Sequence, residues 1–382
     1  MGSENVASAQ GLKEVGYFDC AGGGQIRVDG TTAYVGHMAN PFGTSVVDMS
    51  DPKNPKLLSH IEMPPGTHAH KVHARGDLMV RNHELIGPGK PDDFHTGVGI
   101  YDVSDKSNPR LITTWDTVGR GVHRFDFDGR YMYLSSTVED FRGPIMLVLD
   151  IQDPEHPAEV SKWWIPGQWE AGGEEYVWGD GPEPRCHHPL RLGNRLYTSY
   201  WHHGFFILDI DDLSNPKLVS AFNTGPTFPH PTHTALPIPF EINGHRIMIV
   251  ADEDVAKLRP HAPAFMWVFD ITDETNPIPI SSWQVEGLDP DGAPQGLYTG
   301  CHQPSEIVTS PVIPFAWFSQ GLRMIDISNP HSPKEVGHFM PDTQPGCDRL
   351  CANDVTVDDR GLIYVIDRLR GLHIVEQVKG TF

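Results

Sequence analysis

Five histidines and one aspartate recur at one local position in six similar stretches of this 382-residue chain. Aligned on a tight turn and the strand that follows it, the position falls on His70 (HKVHARGD), His123 (HRFDFDG), His188 (HPLRLGN), His233 (HTALPIP), His302 (HQPSEIV) and Asp354 (DVTVDDRG). The first stretch of the chain offers only Gly24 and Gln25 there. Imidazole is the commonest transition-metal ligand, and three or four neutral imidazoles suit iron, zinc, copper or manganese better than calcium or magnesium, which want oxygen. Neutral donors leave the charge of the cation unquenched, which makes a Lewis acid with open positions for water, dioxygen or an anionic substrate. The expected cofactor is therefore one divalent transition-metal ion. His123, His188, His233 and His302 are the foremost ligands, His70 comes next, and Asp354 serves as a ligand or as the partner of one. Spacing alone leaves the metal open, and also whether two ions share the set. The competing reading is structural, with each histidine hydrogen-bonding one sheet to the next.

Further reactive groups follow the second strand of several stretches. RNHE carries His83 and Glu84, YWHHG carries Tyr200, Trp201, His202 and His203, and ADED carries Asp252 and Glu253. Glu84, Asp252 or Glu253 suits a general base, or a carboxylate that orients a ligand imidazole through its second ring nitrogen; a solvated loop charge is the plain alternative. His68, His187 and His230 adjoin the aligned positions and read as supporting or surface groups. The segment 163–178 (WWIPGQWEAGGEEYVW) holds four tryptophans, among them Trp169 and Trp178. With Trp201 they suit the wall of a pocket for a planar or apolar small-molecule substrate, although an interface between copies of the chain needs the same composition. Arg124, Arg185 and Arg349 are the candidates to receive a substrate carboxylate.

These groups are scattered over most of the chain, so something must gather them. An internal repeat does so: VVDMSDPKNPKLL at Asp48, IYDVSDKSNPRLI at Asp102, VLDIQDPEHPAEV at Asp150, ILDIDDLSNPKLV at Asp209, VFDITDETNPIPI at Asp270 and MIDISNPHSPKEV at Asp326. A degenerate seventh copy, LHIVEQV, lies near the end. The aspartates are 48 to 61 residues apart, the length of a four-stranded propeller blade with generous loops. Tight turns such as Asp128-Gly129 and Gly193-Asn194 separate alternating strands within each copy. The prediction is an all-β fold, a seven-bladed β-propeller of four-stranded antiparallel blades forming one domain over 1–382. The last copy stops after its third strand, and residues 12–19 (LKEVGYFD) echo 333–339 (PKEVGHF). The N-terminal segment is thus expected to complete the C-terminal blade, with 1–10 disordered. The 38 Gly and 34 Pro are then turn residues. Long loops at 82–98, 164–187, 222–232, 251–264, 283–301 and 340–353 should share one face with the histidines, where binding loops belong.

The repeated phrase resembles the LVIVD-repeat family of β-propellers, over nearly the whole chain. The resemblance implies the fold and almost nothing about activity, because propellers host enzymes, receptors and scaffolds alike. Axial histidines also resemble, in architecture only, the carotenoid-cleaving oxygenases, whose iron is held by four of them. A net charge of −21 repels phosphate backbones and anionic lipid surfaces, so neither nucleic acid nor membrane is an expected partner. Five cysteines without a CxxC pair argue against a disulfide framework or a thiolate zinc site. Cys186 and Cys301, each just before an aligned histidine, read as small buried residues. The N-terminus lacks the basic and apolar regions of a signal peptide, and a cytoplasmic location is expected. Two functions compete: a metal-dependent enzyme that cleaves a bond in a small organic molecule, by oxidative, lyase-type or hydrolytic chemistry, and a scaffold for protein interaction, with a homo-oligomer compatible with either.

Overall fold

The computed structural model describes residues 6–87, 89, 91–254, 264–286, 299–342 and 350–382. Arg349, Cys347 and the middle of the loops 251–264, 283–301 and 340–353 lie outside the described residues. The described chain forms seven antiparallel sheets and no helix. Blade 1 is built from Gly23–Asp29, Thr32–His37, Gly43–Asp48 and Lys56–Ile61. In chain order, blades 2 to 7 begin their inner strands at Thr67, Val122, His188, Thr232, Gln303 and Ala352. Inner strands of neighbouring blades touch, and Ala352–Val357 touches Gly23–Asp29, so the ring is closed.

Turn chemistry explains the repeat. Asp48, Asp102, Asp150, Asp209, Asp270 and Asp326 each end a third strand, and the Oδ1 of each accepts the backbone N–H two residues on, at 2.8–2.9 Å. Three residues later Asp51, Asp105, Asp153, Asp212, Asp273 and Asn329 do the same at 3.0–3.2 Å. Two successive side-chain turns reverse the chain into the fourth strand. All six third-to-fourth pairings also carry a register shift at the same step, which adds twist to the outer edge. The repeated aspartates are architectural and lie far from the axis.

The apolar core lies between blades. Tyr133, Met146 and Val148 of blade 3 pack on Cys186, Leu196, Tyr200 and Leu208 of blade 4, and comparable clusters fill the other gaps. Leu12–Phe18 pairs with Gly371–Gln377 and completes blade 7 as expected. Disorder over 1–10 is corrected in part: Val6–Gln10 pairs with Lys334–Pro341 as a fifth strand of blade 6. Pairing satisfies backbone groups that an edge strand would leave open. The N-terminus therefore laces two blades together. Deleting residues 1–19 should expose the Gly371–Gln377 edge and cause self-association, read by size-exclusion chromatography. Leu12→Ala, at a buried position between blades 6 and 7, should cost ~2–4 kcal/mol in urea unfolding.

Candidate metal centre

The inner strands are irregular where they approach the axis, and that irregularity aims the histidines. Register shifts fall between Gly23 and Gln25, Val122 and Phe125, Thr232 and Thr234, and Ala352 and Asp354. In blade 2 the strand is broken between His68 and Val72, and in blade 6 it is only Gln303–Pro304. A bulge inserts one residue and re-aims its side chain. An arc of imidazoles results, with ring centroids at 4.4 Å for His68–His70, 4.8 Å for His70–His123, 5.0 Å for His123–His187, 4.5 Å for His187–His233 and 4.3 Å for His233–His302. Phe318 stacks on His302 at 4.4 Å and ends the arc. Blades 7 and 1 place Asn353 and Gly24 at the equivalent position and leave the arc open. At Gly24 a Cβ would lie 2.7 Å from the Cβ of His70, so no side chain fits there.

Second-nitrogen contacts set which ring atom of each imidazole is a lone pair. His187 Nδ1 donates to the carbonyl of His233 at 2.9 Å, and His302 Nδ1 donates to the carbonyl of Asn353. His123 Nδ1 donates to Glu84 Oε2 at 2.7 Å. The Thr234 hydroxyl donates to Gln303 Oε1 at 3.0 Å, so its oxygen accepts from His233 Nδ1 at 2.8 Å. These four histidines carry their proton on Nδ1 and a lone pair on Nε2, the state that partners behind a ligand impose. Burial holds the pKa of His187, His233 and His302 well below the ordinary value and that of His123 at about 3, so all four are neutral. Yet His123 Nε2 and His187 Nε2 are 3.2 Å apart. Two lone pairs facing each other repel, and a cation between them removes the conflict. Ligands ~2.0–2.1 Å from a tetrahedral ion are themselves roughly 3.3 Å apart.

Among the described residues, two groups of metal-ligating atoms lie within 4.8 Å of one another, His68/His70/Glu84/His123 and His187/His233/Glu253. In the first, the carboxylate is fully engaged. Glu84 Oε2 accepts from His68 Nε2 at 2.5 Å as well as from His123, and Oε1 meets Arg120 at 3.0 Å. Asn82 spends its oxygen on the Lys71 N–H and offers its NH2 to His70 Nδ1 at 3.2 Å, which leaves the His70 proton on Nε2. His70 is thereby a donor. The second group is open: His233 Nε2 is buried without a hydrogen bond, and Glu253 stands 4.0 Å from it and 3.8 Å from His302 Nε2. Burial raises the Glu253 pKa, and the charges of Arg368, Arg124 and Arg185 oppose that rise.

His123, His233 and His302 thus lie in the arc, and His70 lies in it as a donor. His188 does not. In blade 4 the arc takes His187, the residue before, because side chains alternate along a strand and a one-residue slip turns every group the other way. His188 instead lies 3.2 Å from Glu306 Oε1, beside Lys71 and His73. Asp354 is also one step past the arc; its Oδ2 accepts the Ile26 N–H at 2.9 Å, and burial followed by the charge of Glu306 raises its pKa to about 7. The doublet His187-His188 was the available signal for the correct register; Lys71, Asn82 and Glu306 carry no sequence signal.

The loop groups separate as sharply. Glu84 lies behind His123, and Glu253 lies beside His233 and His302. His83 points to the other face of its strand, 3.1 Å from the carbonyl of His95. Asp252 accepts from Trp267 Nε1 at 2.8 Å, and burial lifts its pKa to about 8. Tyr200 is buried against Gln168, and Trp169 packs on Phe141 and Trp164, away from the axis. Trp178, Trp201, His202, His203, Phe228 and His230 line a cavity of about 550 Å³. Trp201 is shared, its ring 4.6 Å from that of His187. Burial raises the thiol pKa of Cys186 and Cys301, consistent with a packing role.

A seven-bladed β-propeller with an imidazole arc at one mouth of its channel is the class that fold and site define. Within that class the chain is one that carries LVIVD repeats, matched at residues 93–117, 192–224 and 315–341, in blades 2, 4 and 6. It is 29% identical over 113 residues to an uncharacterized protein of Methanocaldococcus jannaschii, a match covering 28% of this chain and 17% of that protein's length. Among solved structures, Saccharomyces cerevisiae Sqt1 superposes with a TM-score of 0.57 at 9% identity over 93% of this chain and 83% of Sqt1. The computationally designed Ika8 protein superposes with a TM-score of 0.52 at 8% identity over 94% of this chain and 98% of Ika8. Both are likenesses of fold.

Neutral buried imidazoles make the metal-free protein acid-labile. The folded-state pKa of His123, His188 and His73 is about 3, against ~6.5 for an unfolded histidine. The unfolded chain therefore binds more protons below pH ~6.5, and stability falls as pH drops from there toward 3, by up to ~1.4 kcal/mol per pH unit for each such residue. Urea unfolding of chelator-treated protein between pH 8 and 5 should show a steep loss beginning near pH 6.5, and a flat profile would contradict the neutral arc.

Proposed function

We propose that this chain is a metal-dependent enzyme that holds one divalent transition-metal ion at the arc, with Nε2 of His123, His187 and His233 as its nearest imidazole donors and Glu253 and His302 bordering it, and that it cleaves a bond in a small organic substrate. The 3.2 Å approach of two lone-pair nitrogens, His123 Nε2 and His187 Nε2, carries this reading. An ion bound by neutral imidazoles would supply Lewis acidity and open positions for water, dioxygen or substrate, which serves oxidative cleavage on iron or copper and lyase-type or hydrolytic cleavage on zinc or manganese.

The chain's own groups have distinct tasks. Glu84 fixes the tautomer of His123 and, with Arg120 and His68 on its remaining lone pairs, keeps that ring from turning. Glu253 has a raised pKa and stands by the open side of His233 and His302, where it can take a proton from a molecule in the channel. Trp201 separates His187 from the aromatic cavity and sets how closely a substrate held there approaches the arc.

Metal analysis of tag-free protein grown in metal-supplemented medium should find a stoichiometric ion. His187→Ala/His302→Ala should lose it, and His188→Ala should keep it. A wild-type protein holding well under one ion per chain would leave the propeller as an interaction scaffold. Loss of metal in His188→Ala with retention in the double variant would put the site at Glu306 instead.

A further inference from the structure

Arg124 starts on the inner strand of blade 3, yet its Nη1 donates to Gln303 Oε1 of blade 6 at 3.2 Å. Three places round a ring of seven separate those blades, so the side chain crosses the channel. Gln303 is held to receive it, since its Oε1 also takes the Thr234 hydroxyl and its NH2 donates to the carbonyl of Pro304 at 3.0 Å. The guanidinium thus lies across the axis, one residue past the arc. Its charge lowers the pKa of His70, His123, His187, His233 and His302, in agreement with a central position.

What Arg124 lacks is a carboxylate in direct contact: Asp354, Glu253 and Glu306 act on it only through their charge. Among the described residues its bond to Gln303 is its only hydrogen bond, no carboxylate pairs with it, and Nε is buried with no acceptor. Two residues of the inner strands of blades 1 and 2 are in the same condition: both amide atoms of Gln25 and Nε2 of His70 are buried and unpartnered. Relative exposures are 3% for Arg124 and 1% for each of the others. An unpaired buried donor costs ~1–3 kcal/mol, more when charged, and such orphans need a ligand or ordered water to account for them. Gln25 and His70 flank Gly24, where the arc is open. With Nη1 engaged, the guanidinium presents its Nε–Nη2 edge, the one that takes a planar carboxylate side-on through two parallel bonds. A protein of net charge −21 does not gather anions by its overall field, so recognition has to be local.

We infer that the substrate is a small carboxylic acid bound as its anion, with the carboxylate on the Nε–Nη2 edge of Arg124 and further hydrogen bonds from His70 Nε2 and Gln25. Calling the bound acid the substrate rests on the metal-dependent reading above; the binding itself does not. Seated at the gap in the arc, the carboxylate puts the rest of the molecule against the open sides of His233 and His302.

Isothermal titration of chelator-treated protein with propionate, and with propionamide as the uncharged isostere, tests this. Propionate should bind and propionamide should not, and Arg124→Gln should weaken propionate ~10-fold or more, the scale of one charge-assisted hydrogen bond. Gln25→Leu keeps every charge and should weaken binding less, which preserves the test if Arg124→Gln does not fold. Equal binding of the two probes, or full affinity in the variants, would overturn the assignment. Metal content of the same samples separates the two readings: a chain that holds no metal but binds propionate through Arg124 loses the enzyme and keeps the anion site, whereas a metal-loaded chain indifferent to propionate loses the anion site alone.

Discussion

Commitment of the Nδ1 protons in the arc is the interaction on which the site depends. Each of His123, His187, His233 and His302 spends its one proton on a partner behind it, and for His187 and His302 that partner is a backbone carbonyl of the next blade. Backbone carbonyls are held by the closed ring and cannot rotate away. Nε2 is therefore left as a lone pair by the same geometry that closes the propeller, and the lone pairs of His187 and His233 share their surroundings with the Glu253 carboxylate. Closure in turn rests on the N-terminal strands: without Leu12–Phe18 blade 7 would lack its outer strand, and the Asn353 carbonyl that holds His302 would lose its support.

Below the arc the channel changes character. Arg124 crosses the axis, and past it Glu306 gathers Lys71, His188 and His73. Burying this much charge is tolerable only because the signs alternate over a few ångströms. Lys71 and Glu306 pair directly, and although burial works to raise the Glu306 pKa, the charge of Lys71 holds it well below the usual range. On the far side a cavity lined by Arg27, Arg75, Asp126, Arg191 and Glu306 reaches this network. Arg124 has bonding capacity to spare, since its Nε is buried without an acceptor.

Much of the architecture was legible in the residues. The phrase around Asp48 and its five successors encodes two consecutive side-chain turns, a local property needing no distant contact, and counting copies yields the blades. The arc was partly legible. His123, His233 and His302 lie in the arc, each beginning its stretch in a single plausible register. His188 was chosen over His187 because two adjacent histidines offer two registers one residue apart, and only pairing to Ser199 and the neighbouring blades decides between opposite faces. His83 and Asp252 looked like chemistry by type and turned out to face other strands.

Local sequence determined the repeat, its turns, the blade count and the clustering of histidines at blade entrances, since each depends on hydrogen bonds within a few residues. Tertiary structure alone decided which ring nitrogen bears the proton, that Arg124 reaches Gln303 on the opposite wall, and that Glu306 is the counter-charge of Lys71. Those facts depend on atoms brought together from blades one to three places apart, after closure of the ring has set the width of the channel. Spacing along a chain carries no measure of that width.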